Sequence, residues 1–159
     1  MKKFVSLFLA AVMALSMVAC GNSGEEANEP ETVGEVLLAD FKANAEGNAQ
    51  EIVDGIMQNE ILPFETAKMP VEPGLLTGFD NAEITGFKEG VMFAPMMGTI
   101  PFVGYVVTLE DGADVSAFIS TLTANANKRW NICTEAEETV TGSKGNKVFF
   151  VMCNKSIEE

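Results

Sequence analysis

The order of apolar patterns over residues 32–159 predicts a single α+β domain. One or two N-terminal helices come first, then βββ-α-ββ, with a mainly antiparallel sheet and the helices on one face. Three observations predict it. Apolar residues recur at helical spacing after Thr32 and again after Asp114. Runs rich in Val, Phe and Ile alternate or run continuously near 83–94, 102–109 and 134–153. Glycine-bearing turns such as Glu110-Asp111-Gly112 and Gly142-Ser143-Lys144-Gly145-Asn146 separate those runs.

Thr32 with Glu35 three residues later has the pattern of a capping box, and Val33, Leu37, Phe41 and Ala45 follow at helical spacing. Glu46-Gly47-Asn48 interrupts, and Asn48 with Glu51 offers a second box before Ile52, Val53, Ile56 and Met57. Two short helices, or one kinked helix, are expected over 33–60, closed by Pro63. Met69-Pro70-Val71-Glu72-Pro73-Gly74 is too rich in breakers for regular structure. Strands are expected at 83–87 and 91–94 around a Glu89-Gly90 turn, with the clearest buried strand at Phe102–Leu109. Asp114 caps a helix through Val115, Phe118, Ile119, Leu122 and Trp130, with Lys128 and Arg129 in its last turn complementing the dipole. Two last strands are expected near 134–141 and 147–153.

The chain starts with a different kind of signal. Met1-Lys2-Lys3 is cationic, and Phe4 to Ala19 is apolar except for Ser6 and Ser16. That is the charged and apolar part of an export signal, and it falls short of the ~20 residues a membrane span needs. Met17-Val18-Ala19-Cys20 resembles the bacterial lipobox, with Met17 where Leu is usual. The resemblance implies removal of residues 1–19 and a diacylglyceryl thioether on Cys20, with further acylation such as palmitate. Membrane partnership would then run through lipid on Cys20, at the extracytoplasmic face of the cell membrane, since two or more acyl chains anchor stably. Residues 20–31 read as a lipidated, flexible, acidic tether, reaching roughly 15–20 Å as a coil.

Removing Lys2 and Lys3 leaves eight cations against 23 acids, a net charge of −15. So acidic a chain repels nucleic acid and anionic headgroups, which excludes a nucleic-acid partner. There is no histidine, which removes Ser-His-Asp and Cys-His arrangements and histidine metal sites. No phosphate loop, dinucleotide fingerprint or C-x-x-C occurs, so no catalytic residue, cofactor or metal set is named.

With Cys20 assigned to lipid, Cys133 and Cys153 remain in an oxidising compartment. A three-residue hairpin loop at 143–145 would put them on one sheet face as diagonal neighbours, ~7–8 Å apart and too far for an unstrained bridge. A one-residue adjustment in each strand would oppose them directly. A disulfide and two buried thiols both stand, and the compartment favours the disulfide.

Met92, Phe93, Met96, Met97, Ile100 and Phe102 form an apolar tract broken by Pro95, Gly98 and Pro101. Thioethers suit Cu(I), but methionine is more often a flexible gap-filler. The tract either folds over the core or is a contact surface for a protein, peptide or lipid. A non-enzymatic binding or accessory domain is the leading expectation, with a small carboxylate hydrolase as the alternative. The layout, with Gly78-Phe79-Asp80, the tract from Val91 to Gly98 and Trp130-Asn131-Ile132-Cys133, resembles small uncharacterised lipoproteins of Clostridia and related Firmicutes. That resemblance implies a localisation and a fold, not an activity.

Overall fold

The computed structural model describes residues 29–156. The expected export signal 1–19, Cys20 and most of the expected tether 20–31 lie outside the described residues.

Both expected capping boxes form. Helix α1 (Val33–Asn44) begins at Thr32, whose Oγ1 accepts from the Glu35 N–H at 3.3 Å while Glu35 Oε2 accepts from the Thr32 N–H at 3.3 Å. Helix α2 (Ala49–Ile56) begins at Asn48, paired with Glu51 in the same way at 2.9 Å in each direction. Helix α3 (Val115–Asn125) is capped by Asp114, which accepts from the Ala117 N–H at 3.0 Å. It ends earlier than expected. Ala126 is extended, and the Asn127 side chain accepts from the Arg129 N–H at 2.9 Å to start a turn. Lys128 and Arg129 therefore lie beyond the helix.

The strands are β1 (Thr66–Val71), β2 (Gly74–Leu75), β3 (Glu83–Ile84), β4 (Phe87–Pro95), β5 (Val103–Leu109), β6 (Glu138–Lys144) and β7 (Lys147–Cys153). Five of them form an antiparallel sheet in the order β1-β4-β5-β7-β6, while β2 and β3 pair separately. The α+β class and the antiparallel sheet are those the sequence predicts. Glu89-Gly90 is not a turn, however: β4 runs through it, with a register shift between Phe87 and Glu89 that leaves Lys88 unpaired. Strand β1 occupies the breaker-rich stretch, since Pro70 is tolerated on an edge strand where no ladder bond is needed from it.

Helices cover both faces of the sheet, not one. Leu37, Phe41, Ile52 and Val53 of α1 and α2 pack with Val91, Phe93, Val106, Phe149 and Val151. Phe118 and Leu122 of α3, with Leu76 and Phe79, pack with Tyr105, Val107, Phe150 and Met152 on the other side. The cause is visible in β5 and β7. Their apolar runs are continuous, and strands of that kind need cover on both faces.

The β6–β7 hairpin turns at Gly145-Asn146, with Lys144 opposite Lys147 and Gly145 left-handed at φ 63°. Glu138 is thereby set opposite Cys153. Cys133 lies five positions before β6 begins, in a turn, and the expected disulfide does not form. Both cysteines are free, Cys133 exposed and Cys153 buried.

Candidate functional site

The end of the sheet at which β4 finishes carries the exposed part of the apolar tract. Strand β4 finishes at Pro95, and the Met96 N–H donates to the Glu65 carbonyl at 2.9 Å, which holds the connection to β5 against the chain entering β1. From there the apolar tract divides. Met96 and Met97 are 65% and 77% exposed. Phe93 and Phe102 are core residues with ring centroids 5.7 Å apart, and so are not contact residues. Met92 is half-buried on the α3 side of the sheet, and Ile100 is half-buried against the α1–α2 side. The division follows strand alternation: Phe93 still points inward within β4, and Phe102 drops into the core just before β5. Only the segment between Pro95 and Ile100 is free to project.

One more exposed apolar residue lies beside that segment. The turn after α3 places Ile132 at 86% exposure, with a left-handed backbone at φ 42°. The Asn131 side chain donates to the Gly98 carbonyl at 2.7 Å, so this turn and the Met96–Met97 segment are tied together. Nothing in the sequence announces Ile132. A left-handed turn is normally signalled by Gly or Asn, and a β-branched residue there is an outlier.

Beside Ile132 lies an open cleft of about 360 Å3, bounded by Leu76, Gly78, Asp80, Asn127 and Trp130. Asn127 clasps its two rims, donating from its side chain to Asp80 Oδ1 at 2.6 Å and from its backbone to the Gly78 carbonyl at 2.8 Å. Trp130 packs one side on the α3 core and lines the cleft with the other. Arg129 on the rim is 3.6 Å from Glu135, an exposed pair that adds little stability. A two-carboxylate hydrolase needs a second acid facing the first across a substrate. Among the described residues lining this cleft, Asp80 is the one carboxylate, and its Oδ1 is already engaged by Asn127.

Cys153 is chemically quiet. Burial raises its thiol well above the ordinary range, and the neighbouring Glu138 carboxylate, 3.6 Å from the sulfur, raises it further. Cys133, exposed two residues from Asn131, has no comparable enclosure. Among the described residues no three carboxylates or thiols converge as a metal site, and no helix is long and apolar enough to cross a membrane.

No protein-family model, curated protein or solved structure matches this chain.

Proposed function

We propose that this chain is an extracytoplasmic lipoprotein, held at the cell membrane by lipid on Cys20, whose domain acts by contact rather than by catalysis. The export signal and the lipobox-like Met17-Val18-Ala19-Cys20 support the anchor. One observation carries the contact role. Met96, Met97 and Ile132 are large apolar side chains left in water, and a dedicated hydrogen bond from Asn131 to Gly98 holds their two segments together. Scattered exposed apolar residues such as Met69 and Leu75 are ordinary, whereas these three lie on two segments joined by a hydrogen bond, which supports reading them as an interaction surface.

The anchor is tested by metabolic labelling with a fatty-acid analogue. Wild type takes up label, and Cys20→Ser does not. Equal labelling of the two chains would remove the lipoprotein assignment.

A further inference from the structure

We infer that the surface formed by Met96, Met97 and Ile132 faces the lipid bilayer to which the chain is tethered, and dips into its interface. This inference rests on the lipid anchor at Cys20 proposed above.

The tether enters the fold at the end of the sheet that bears these side chains. Thr32 caps α1, and the Val33 N–H donates to the Lys155 carbonyl at 2.9 Å, just past the end of β7. At that end Cys153 sits opposite Glu138, and Met152 opposite Val103, the first residue after the segment that carries Met96 and Met97. From β6 to β4 is three strand spacings, ~14 Å at about 4.8 Å each. The opposite end of the sheet carries the Lys144–Lys147 turn, a strand length of ~23 Å away at about 3.3 Å per residue.

Length then decides the orientation. Eleven residues separate Cys20 from Thr32, a chain length whose average coil span is ~15–20 Å. That average reach is less than the strand length of ~23 Å. The end where it enters is kept near the lipid, and the lysine turn stands away from it. A surface restrained this closely meets the bilayer at high effective concentration, so three side chains suffice to bias orientation although they would not bind a free domain.

Ile132 supplies a second, independent argument. A β-branched side chain in left-handed backbone is strained, and at 86% exposure Ile132 gains no burial to offset that strain. Its use is explained by an apolar neighbour outside the domain. The contact is apolar, not electrostatic. Glu31, Glu35, Glu135 and Glu137 are exposed around the same end, so anionic headgroups weaken the contact.

Trp130 is the chain's single tryptophan and lines the cleft beside Ile132, which makes it a built-in reporter. The full lipidated chain is reconstituted into phosphatidylcholine vesicles with and without brominated acyl chains. Flotation reports the anchor, and quenching of Trp130 reports the face. The expected result is flotation with clear quenching by brominated lipid, little affected by salt and reduced as anionic lipid is added. The combined variant Met96→Ser, Met97→Ser, Ile132→Ser floats equally and loses most of the quenching. Flotation without quenching overturns the inference alone and leaves the surface to a protein or peptide partner. Failure to float overturns the anchor, and the inference with it.

Discussion

The Gly34 N–H donates to Glu138 Oε1 at 3.0 Å, so the first turn of α1 is held by a carboxylate on the outermost strand of the sheet. Helix α2 repeats the device: the Ala49 N–H donates to Glu89 Oε1 of β4 at 3.2 Å. Helices α1 and α2 thus each have two kinds of cap, a local box from their own sequence and a carboxylate reaching up from the sheet. The local box starts the helix, and the distant carboxylate fixes where it sits. A negative charge at a helix N-terminus is favourable, and a bond from an N–H to an ionised acceptor is stronger than a neutral one. Glu138→Ala should therefore destabilise the domain by ~1–2 kcal/mol, and Glu89→Ala by about 1 kcal/mol given its longer contact. Urea unfolding measures both. Glu138→Gln keeps an acceptor and loses the charge, and should fall between Glu138→Ala and wild type.

The thiols give a second prediction. With the Cys20 thiol taken up by lipid, native protein should expose one reactive thiol, Cys133, and unfolded, unreduced protein two. No titratable thiol in the unfolded, unreduced chain would restore the disulfide.

Stability should fall in alkali. Burial raises the thiol of Cys153 and the phenol of Tyr105, whose hydroxyl donates to the Thr77 carbonyl at 2.8 Å. A group whose folded pKa lies above its unfolded one contributes stability below the unfolded value and loses it as pH climbs towards the folded one. The loss should begin near the ordinary thiol range, about 8.5, and steepen past about 10 where free tyrosine ionises. Urea midpoints between pH 7 and 11 would record it. Cys153→Ala should flatten the first part and Tyr105→Phe the second.

Close packing across the first pair of the β4–β5 ladder past Pro95 is testable too. Phe93 lies opposite Gly104 and its ring covers that residue, so a Cβ on Gly104 would overlap it. Gly104→Ala should cost ~1–3 kcal/mol through overpacking. Combining it with Phe93→Leu, which withdraws the ring, should recover part of the loss. Additive losses in the double variant would mean that the ring is not the obstacle.

What the sequence made legible was local. Thr32 with Glu35, and Asn48 with Glu51, name two helix starts because each box needs only four consecutive residues. The runs in β5 and β7 name two buried strands. Their continuity also implied cover on both faces, a consequence that the expectation of helices on one face overlooked. Strand β1 was illegible because Pro70 argues against any strand, and only its position on the sheet edge makes it acceptable. Cys133 could not be placed because the hairpin register depends on which two residues turn, and a shift from a loop at 143–145 to Gly145-Asn146 moves every pairing. The tract from Met92 to Phe102 was visible as apolar. Its division into core and surface was not, since that depends on where β4 stops. Ile132 had no signal of its own, because its exposure comes from the turn, not from its chemistry.

The contrast within that tract is sharp enough to measure. Met96→Ser with Met97→Ser removes side chains already in water, and should change stability by no more than ~0.5 kcal/mol. Phe93→Ala or Phe102→Ala empties a core position and should cost ~3–5 kcal/mol. A large loss in the methionine double variant would place those residues in the core and take away the contact surface.

Ile132 should show stability and function pulling apart. Its left-handed backbone costs a β-branched residue ~1–3 kcal/mol, while Asn accepts that conformation readily because its short polar side chain bonds locally. Its 86% exposure means that replacement leaves no cavity. Ile132→Asn should therefore raise the urea midpoint, by a gain of about 1 kcal/mol. Ile132→Val keeps both the strain and most of the apolar surface, and should leave the midpoint where it was. If instead Ile132→Asn destabilises the domain, then Ile132 packs on its own protein, and its exposure would need no partner to explain it.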